Sequence, residues 1–349
     1  MSTFKSIVRK ESLQIVRDRR TMFITILMPL VLLLLFGFAI STEVNNVKII
    51  ASVDRHTPAT RQLLEQLSVN SYFSFEGLAA PGEIDGLLRT GKADAAIVIT
   101  TAADGTERRQ IIVDASNPTT ARTATAYISG VIGGTAATSP VIVRTLYNPQ
   151  MKSSYNFVPG IMGMIFILIC AIMTSVSIVR EKETGTMDLL LVSPVSPRTI
   201  IFGKLTPYFA VSCIILAIML LIAYTVLDLP RSSSILPVIA VTLLYIVLSL
   251  SVGLLVSTIA STQVNALIMS AMVFMMPVIL LSGMIFPVEN MPAALQYISA
   301  VIPARWYIEA MRKLMIQQLT PGYVVGEITI LSAMTAAILT VAIKKFNTR

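Results

Sequence analysis

Charge is what this chain has least of. Asp, Glu, Lys and Arg make up 13% of its 349 residues, about half the share of a soluble globular domain, which excludes a protein that must dress its whole surface for water. Cysteine is limited to Cys170 and Cys213, both inside apolar runs, so no disulfide framework and no cysteine-based metal site is available. Histidine occurs once, as His56 in a polar stretch, and a lone residue there reads as surface rather than as a ligand. No G-x-x-x-x-G-K-[ST] occurs, so the chain has no P-loop with which to bind ATP. The long apolar runs carry no carboxylate at mid-span, Glu327 standing near one end of the last, whereas an ion-coupled carrier usually needs an ionisable group inside the membrane. No inverted repeat relates the two halves. No catalytic, cofactor or metal site is therefore expected.

What is abundant is apolar. Hydrophobic residues make up 54% of the chain and its mean hydropathy is +0.76, the composition of an integral membrane protein. Residues 1–20 form a basic amphipathic helix, with Phe4, Ile7, Val8, Ile15 and Val16 near one face and Lys5, Arg9, Lys10, Arg17, Arg19 and Arg20 carrying its charge. The run Met22–Ile40 is long enough to span a bilayer, about 28 Å as a helix, too long for a signal-peptide core and without a cleavage site after it. Five further runs follow, at 158–179, 207–227, 235–260, 266–285 (bent by Pro277) and 324–343. Six transmembrane helices are expected, the first over 21–41 and the other five within 158–349.

Residues 42–157 have a different character. Charge returns to normal density and apolar runs shorten. Val47–Val53, Tyr72–Phe75, Ala95–Ile99 and Gln110–Val113 read as strands, with Asp104-Gly105 turning between the last two. Helices are expected from Pro58 to Leu67, Pro81 to Leu88 and Asn117-Pro118 to Ile132. Alternating strands and helices argue for a small α/β domain. Asp54 and Asp114 stand at strand ends, where single acids are turn formers more often than a catalytic pair. The fold class is thus an all-α membrane bundle of six spans with an inserted extracytoplasmic α/β domain.

Orientation follows from lysine and arginine in the short connections. Thirteen fall on the side of the N-terminus, of residues 180–206 and of the C-terminus; four, Arg231, Arg305, Arg312 and Lys313, fall on the other. The ten in the long domain are left out, since long loops cross regardless of charge. Both termini and residues 180–206 are then cytosolic, and the α/β domain is outside. The net charge of +8 is explained by lysines and arginines on the inner side, without nucleic acid.

Two segments between spans carry more than connection demands. Residues 180–206 open with Arg180, Glu181, Lys182 and Glu183 and break at Gly185; Thr186 is placed to cap a short helix after it. Leu189, Leu190, Leu191 and Val192 then offer apolar anchors, and Ser193-Pro194 and Ser196-Pro197 stop any helix. From physics alone this is either a docking handle or a cytosolic loop whose charges only fix orientation. Residues 286–314, FPVENMPAALQYISAVIPARWYIEAMRKL, are divided by Pro287, Pro292 and Pro303 and form a re-entrant hairpin, an interfacial helix pair or a plain connector. Arg305 and Glu309, four apart, are placed to pair with each other.

The stretch Arg180–Tyr208 resembles the signature of the type-2 ATP-binding-cassette (ABC) permeases, approximately R-E-K-E-x-G-T-x-x-x-L-L-V-x-P-V and then G-K-x-x-P-Y. Arg180, Glu181, Lys182, Glu183, Gly185, Thr186, Leu190, Leu191, Val192, Pro194, Val195, Gly203, Lys204, Pro207 and Tyr208 stand at its positions. Tyr147-Asn148-Pro149 with Val158-Pro159-Gly160, and Phe286, Pro287, Met291, Pro292, Pro303 and Glu309, resemble two further parts of the family's pattern. One departure is that Thr100 and Thr101 follow the Ala-Ile-Val-Ile strand where the family has proline and phenylalanine. The resemblance covers nearly the whole chain and is to the subgroup with one large outer domain after the first span. It implies a permease subunit of an ATP-driven exporter, forming half of the path, in the bacterial inner membrane. It also implies a separate ATPase docked on residues 180–206 and the N-terminal helix, a second permease copy or paralogue, and an outer mouth at 286–314 that includes Glu309; Arg305 is a further candidate there from its place beside Glu309. ATP is then used by the partner; a periplasmic adaptor is a further candidate partner. Two readings from other classes stand beside it: a membrane scaffold or sensor whose outer domain binds a partner, and an ion-coupled carrier.

Overall fold

The computed structural model describes residues 3–39, 47–55, 57–70, 73–101, 107–113, 118–133, 153–187, 195–230, 235–286, 288 and 291–347. Leu190, Leu191 and Pro287 of the expected functional segments lie outside them, as do Leu189, Val192, His56, Asp114, the Asp104-Gly105 turn and Tyr147-Asn148-Pro149. The chain divides into two units, residues 41–152 and the remainder.

The larger unit begins with helices α1 (Thr3–Arg17) and α2 (Arg19–Ala39). Their segments Thr3–Arg17 and Met22–Phe36 meet at 70°, so the amphipathic helix is set off sharply from the apolar one.

The smaller unit is an α/β domain: β1 (Val47–Val53), α3 (Pro58–Val69), β2 (Phe73–Leu78), α4 (Ile84–Arg89), β3 (Ala95–Thr101), β4 (Glu107–Val113) and α5 (Pro118–Gly133). The sheet runs β2-β1-β3-β4, with β1 parallel to both neighbours and β4 antiparallel to β3. Leu63 and Leu67 of α3 and Ile128 of α5 pack with Val47, Ile49 and Ile97 on one face. Ile84 and Leu88 of α4 pack with Ile50 and Ala96 on the other. Both faces of β1 and β3 are thereby covered, as their unbroken apolar runs require. Thr57 caps α3, accepting from the Thr60 N–H at 3.1 Å, while Thr60 returns the bond from its side chain and Pro58 occupies the first turn.

The larger unit resumes with α6 (Ser153–Glu183), α7 (Pro197–Thr225), α8 (Ile235–Ile259), α9 (Gln263–Leu281), α10 (Ala293–Ala300) and α11 (Pro303–Met311). A π-helical turn at Arg312–Ile316 and a 3₁₀ turn at Pro321–Val324 lead into α12 (Val325–Asn347). Among the described residues five helices are long and apolar enough to cross a membrane, and six if α1 and α2 are taken as one bent span. Helices α6 and α8 are central, with 67% of their most apolar windows buried, against 17% for α9. Apolar residues left exposed on α9, such as Leu267, Met272 and Met276, suit lipid or another subunit. The methionines of α6 behave differently: Met162 and Met164 are buried in the core.

Two of these helices outrun the apolar segments read from sequence. Helix α6 continues to Glu183, and α7 begins at Pro197, so the ends of the 180–206 segment are helical extensions of the flanking spans. The Ser196-Pro197 pair, expected to stop a helix, starts one. Ser196 has extended backbone (φ −62°, ψ 138°) and its side chain accepts from the Thr199 N–H at 3.3 Å. Pro197 lies in the first turn, where its missing N–H has no helical partner to lose.

Candidate functional site

At the Glu183 end of α6 the backbone reverses at Gly185, which has φ +71°, a conformation a β-carbon would strain. The last carbonyls of the helix find nearby donors. Gly185 N–H donates to Lys182 O at 3.2 Å, Thr184 Oγ1 to Arg180 O at 3.0 Å, and Thr186 Oγ1 to Glu181 O at 3.3 Å. Thr186 thus closes the preceding helix, a role distinct from capping the one after it.

Beside this turn lies a buried ion-pair hub from three helices. Lys204 of α7 is 2% exposed and stands 3.1 Å from Glu11 Oε1 of α1 and 2.5 Å from Glu181 Oε2 of α6. Glu11 is 1% exposed and Glu181 6%. Lys10 pairs with Glu181 and, at 3.3 Å, with Glu11, and its side chain reaches solvent. Ser177 Oγ donates to Glu11 Oε2 at 3.4 Å. Two carboxylates facing two ammonium groups leave the hub electrically balanced, the condition under which charges tolerate burial.

Local sequence explains the convergence. Ile7 and Glu11 are four apart and share a face of α1. Ile7 sits over Gly203, where a β-carbon would come 2.8 Å from Ile7 Cγ2. Glycine at 203 lets α1 approach α7 closely, and the neighbouring Lys204 then meets Glu11. Reading for apolar periodicity passed over Glu11. Its signal was there: it is the sole acid of Thr3–Arg17, a helix with four basic residues.

The other signature charges are also engaged within the chain. Lys182 donates to the Ser257 carbonyl near the end of α8. Glu183 accepts from the Gln263 backbone N–H at 2.9 Å and from its side-chain amide, at the N-terminus of α9, where a carboxylate complements the helix dipole. Thr262 is the N-cap of that helix, accepting from the Asn265 N–H at 3.2 Å. Arg180 is exposed and turned toward α1, lining one cleft with Arg9, Lys10 and Arg17. The tetrad 180–183 therefore joins α6 to α1, α7, α8 and α9 and presents Arg180 outward.

The second expected segment is helical too. Phe286 is exposed, Pro292 precedes α10, and Pro303 is buried in the first turn of α11. Arg305 and Glu309 do not pair. Arg305 Nη1 donates to the Gln296 carbonyl at 3.0 Å and Ser299 Oγ at 3.4 Å, and its guanidinium lies 4.8 Å from the Trp306 ring centre. Glu309 instead meets Lys313 at 3.1 Å, and Lys313 reaches the buried Glu327 of α12 at 2.5 Å. Spacing alone favoured the first pair; the tight return of α10 onto α11 brings a carbonyl to Arg305 first. Burial works against the charge of Lys313, but the carboxylates of Glu327 and Glu309 outweigh it and raise its pKa above the usual lysine value. Arg312 Nη2 donates to Gly283 O at 2.7 Å. Small residues of α6 let this part of the chain approach closely, Gly160 at Met284 just before the segment and Gly163 at Tyr307 within it. A β-carbon at Gly160 would come 2.3 Å from Met284 Cγ, and one at Gly163 2.9 Å from the Tyr307 ring. Tyr307 stacks on Tyr245 of α8 with ring centres 4.2 Å apart.

The family model described as "ABC-2 family transporter protein" matches residues 19–344. The chain belongs to this family. It is the membrane permease of an ABC transporter. Relatives spanning almost its full length are two Escherichia coli proteins named as probable multidrug ABC transporter permeases. YbhS is 27% identical over 97% of this chain and 95% of its own length; YbhR is 30% identical over 95% and 94%. The E. coli inner membrane transport permease YhhJ is 26% identical over 68% of this chain and 67% of its own length. In this permease Glu181, Gly203 and Lys204 are among the residues that hold α1, α6 and α7 together.

Proposed function

We propose that the permease is half of an exporter driven by a separate ATPase that docks against residues 180–206 and the exposed side of α1. The observation that carries this reading is the hub of Glu11, Lys204, Glu181 and Lys10. It joins the N-terminal helix to the two helices that flank the 180–206 segment, so a push at that segment moves α6 and α7 together with α1. A binding surface for a force-generating partner needs such a rigid backing. Thr186, Leu190 and Leu191 face or flank the partner in this scheme, Arg180 borders it from the cleft beside α1, and Glu181, Lys182, Glu183 and Gly185 hold the surface in shape. Both termini and this surface are cytosolic, six helices span the bacterial inner membrane, and the α/β domain stands on the outer side, where it would meet an adaptor protein. A second copy or a paralogue completes the path. The names of the relatives suggest drug-like substrates, and residues 286–314 form the outer mouth.

The test uses Glu183→Lys, which sets a cation against the N-terminus of α9, and Gly185→Val, which puts a β-branched residue at φ +71°. Each should lower the ATPase recovered per permease from native membranes, or uncouple hydrolysis from transport in vesicles, while insertion is normal. Substitution of the tail 347–349 should do neither. Parent-like recovery and coupling in both variants would reduce the segment to a charged connector.

A further inference from the structure

We infer that the cleft between α1 and the end of α6 binds an anionic phospholipid, its headgroup held by arginines and an acyl chain entering the bundle. Four basic residues, Arg9, Lys10, Arg17 and Arg180, line this cleft of about 830 Å³ against one acid, Asp18. Lys10 belongs to the hub. Among the described residues no ion pair engages Arg9, Arg17 or Arg180, and all three are exposed. Three guanidinium groups gathered in one cleft repel one another and suit a phosphate, which they can grip with paired N–H donors.

Gln14, Asp18 and Arg180 also stand at the mouth of a second cavity of about 270 Å³ that runs between the helices. Beyond that mouth its lining is mostly apolar, with Ile15, Met22, Ile172, Met173, Val176 and Val211 beside Thr25, Ser177, Tyr208 and Gln263. A basic mouth opening onto an apolar crevice matches a molecule with an anionic head and a hydrocarbon tail. A soluble acidic protein would satisfy the arginines and leave the crevice empty. The position fits as well: α1 meets the apolar α2 at 70°, which places the arginines where a spanning segment leaves the membrane, at headgroup depth. The inference takes from the proposed function only that this end faces the inner leaflet.

The test is native mass spectrometry of the full-length permease in detergent, without ATPase, supplied with phosphatidylglycerol or phosphatidylcholine. The parent chain should retain phosphatidylglycerol in preference to phosphatidylcholine. The triple variant Arg9→Gln/Arg17→Gln/Arg180→Gln should lose that preference, retention falling about fivefold for each arginine removed. Val176→Trp, which fills the crevice and keeps the charges, should lower retention too. Lys344→Gln/Lys345→Gln, basic residues elsewhere on the chain, should leave it unchanged. Glycerol phosphate in excess should not displace the lipid; displacement would make the site one for phosphate alone and overturn the lipid assignment. Equal retention of the two lipids by the parent, or equal losses in the triple and the Lys344/Lys345 variants, would overturn it as well. Phosphatidylglycerol retained by the triple variant at the parent's level would overturn it too. Because retention is read on the permease alone, it stands apart from the outcome of the Glu183 and Gly185 experiments.

Discussion

Replacing Lys204 by methionine keeps the length and apolar stem of the side chain and removes one ammonium from the hub. Glu11, 1% exposed, and Glu181, 6% exposed, would then face each other with Lys10 alone between them. Breaking a buried pair by removing one partner costs about 3–5 kcal/mol, since the remaining charge is left in a poor dielectric. Lys204 is 2% exposed, so solvent screening gives little relief. Lys10 is the internal control. Its side chain is 54% exposed, and loss of an exposed pair costs about 0–1 kcal/mol. The penalty falls on the docking of α1, the element most easily released from the three. Amide hydrogen exchange across residues 3–17, in the full permease with its ATPase in lipid nanodiscs, should speed up about a hundredfold or more in Lys204→Met. Lys10→Gln should change it severalfold at most. Transport per ATP hydrolysed should fall with the released helix. The triple change Glu11→Leu/Glu181→Leu/Lys204→Met, which removes the buried charges together, should restore most of the protection, because an apolar substitute for a buried ion network is close to neutral in stability. The reasoning fails if Lys204→Met exchanges like the parent, or if Lys10→Gln is equally damaging.

Two further outcomes are expected. In residues 286–314, Arg305→Ala should lower transport more than Glu309→Ala with ATPase recovery unchanged in both, because Arg305 ties α10 to α11 through the Gln296 carbonyl whereas Lys313 keeps Glu327 when Glu309 is lost; equal, parent-like transport would make the segment a connector. A cysteine at Ser68 of the α/β domain should react with an impermeant thiol reagent applied from outside, and one at Ser196 should not; the reverse would invert the orientation.

Much of the fold was legible because its strongest determinants are local. Short continuous apolar runs and Pro58 marked β1, β3 and α3 within a residue or two of their observed bounds. Hydropathy located the long helices but not their ends. Residues 197–206 are polar enough to fall outside an apolar window, yet Ser196 caps them and Pro197 starts them, so they continue α7. The candidate site was legible as a motif and not as a mechanism. Its charges looked like groups facing outward, and the structure turns Glu181, Lys182 and Glu183 toward Lys204, the Ser257 carbonyl and Gln263. Those partners lie between 23 and 80 positions away in sequence, and Glu11 is 170 away from Glu181. No periodicity connects residues at such distances; they meet only once the helices pack. The same holds for Arg305, whose i,i+4 neighbour was a weaker attraction than a carbonyl delivered by the turn before α11.

The distribution of buried charge also argues for what moves. Helices in lipid gain little from hydrophobic association, so small residues and polar contacts decide how they fit. In this bundle Gly160 seats Met284 on α6, Gly163 seats Tyr307 of the 286–314 segment on it, and Gly203 seats α1 on α7. Charge is added at the two ends of the bundle: the Lys204 hub at one, Lys313 with Glu309 and Glu327 at the other. A buried ion network contributes little net stability, since desolvation offsets its attraction, but it strongly penalises arrangements in which its members part. Such a device suits elements that must travel together while the helices around them rearrange. On that ground α1 with the ends of α6 and α7 forms one rigid lever, and α11 with the start of α12 forms another. If hydrolysis by a partner moves one lever against the other, the contacts to be exchanged would include those along α6, where Ser175 and Ser270 share a 3.0 Å hydrogen bond and Cys170 lies 3.3 Å from Ser212.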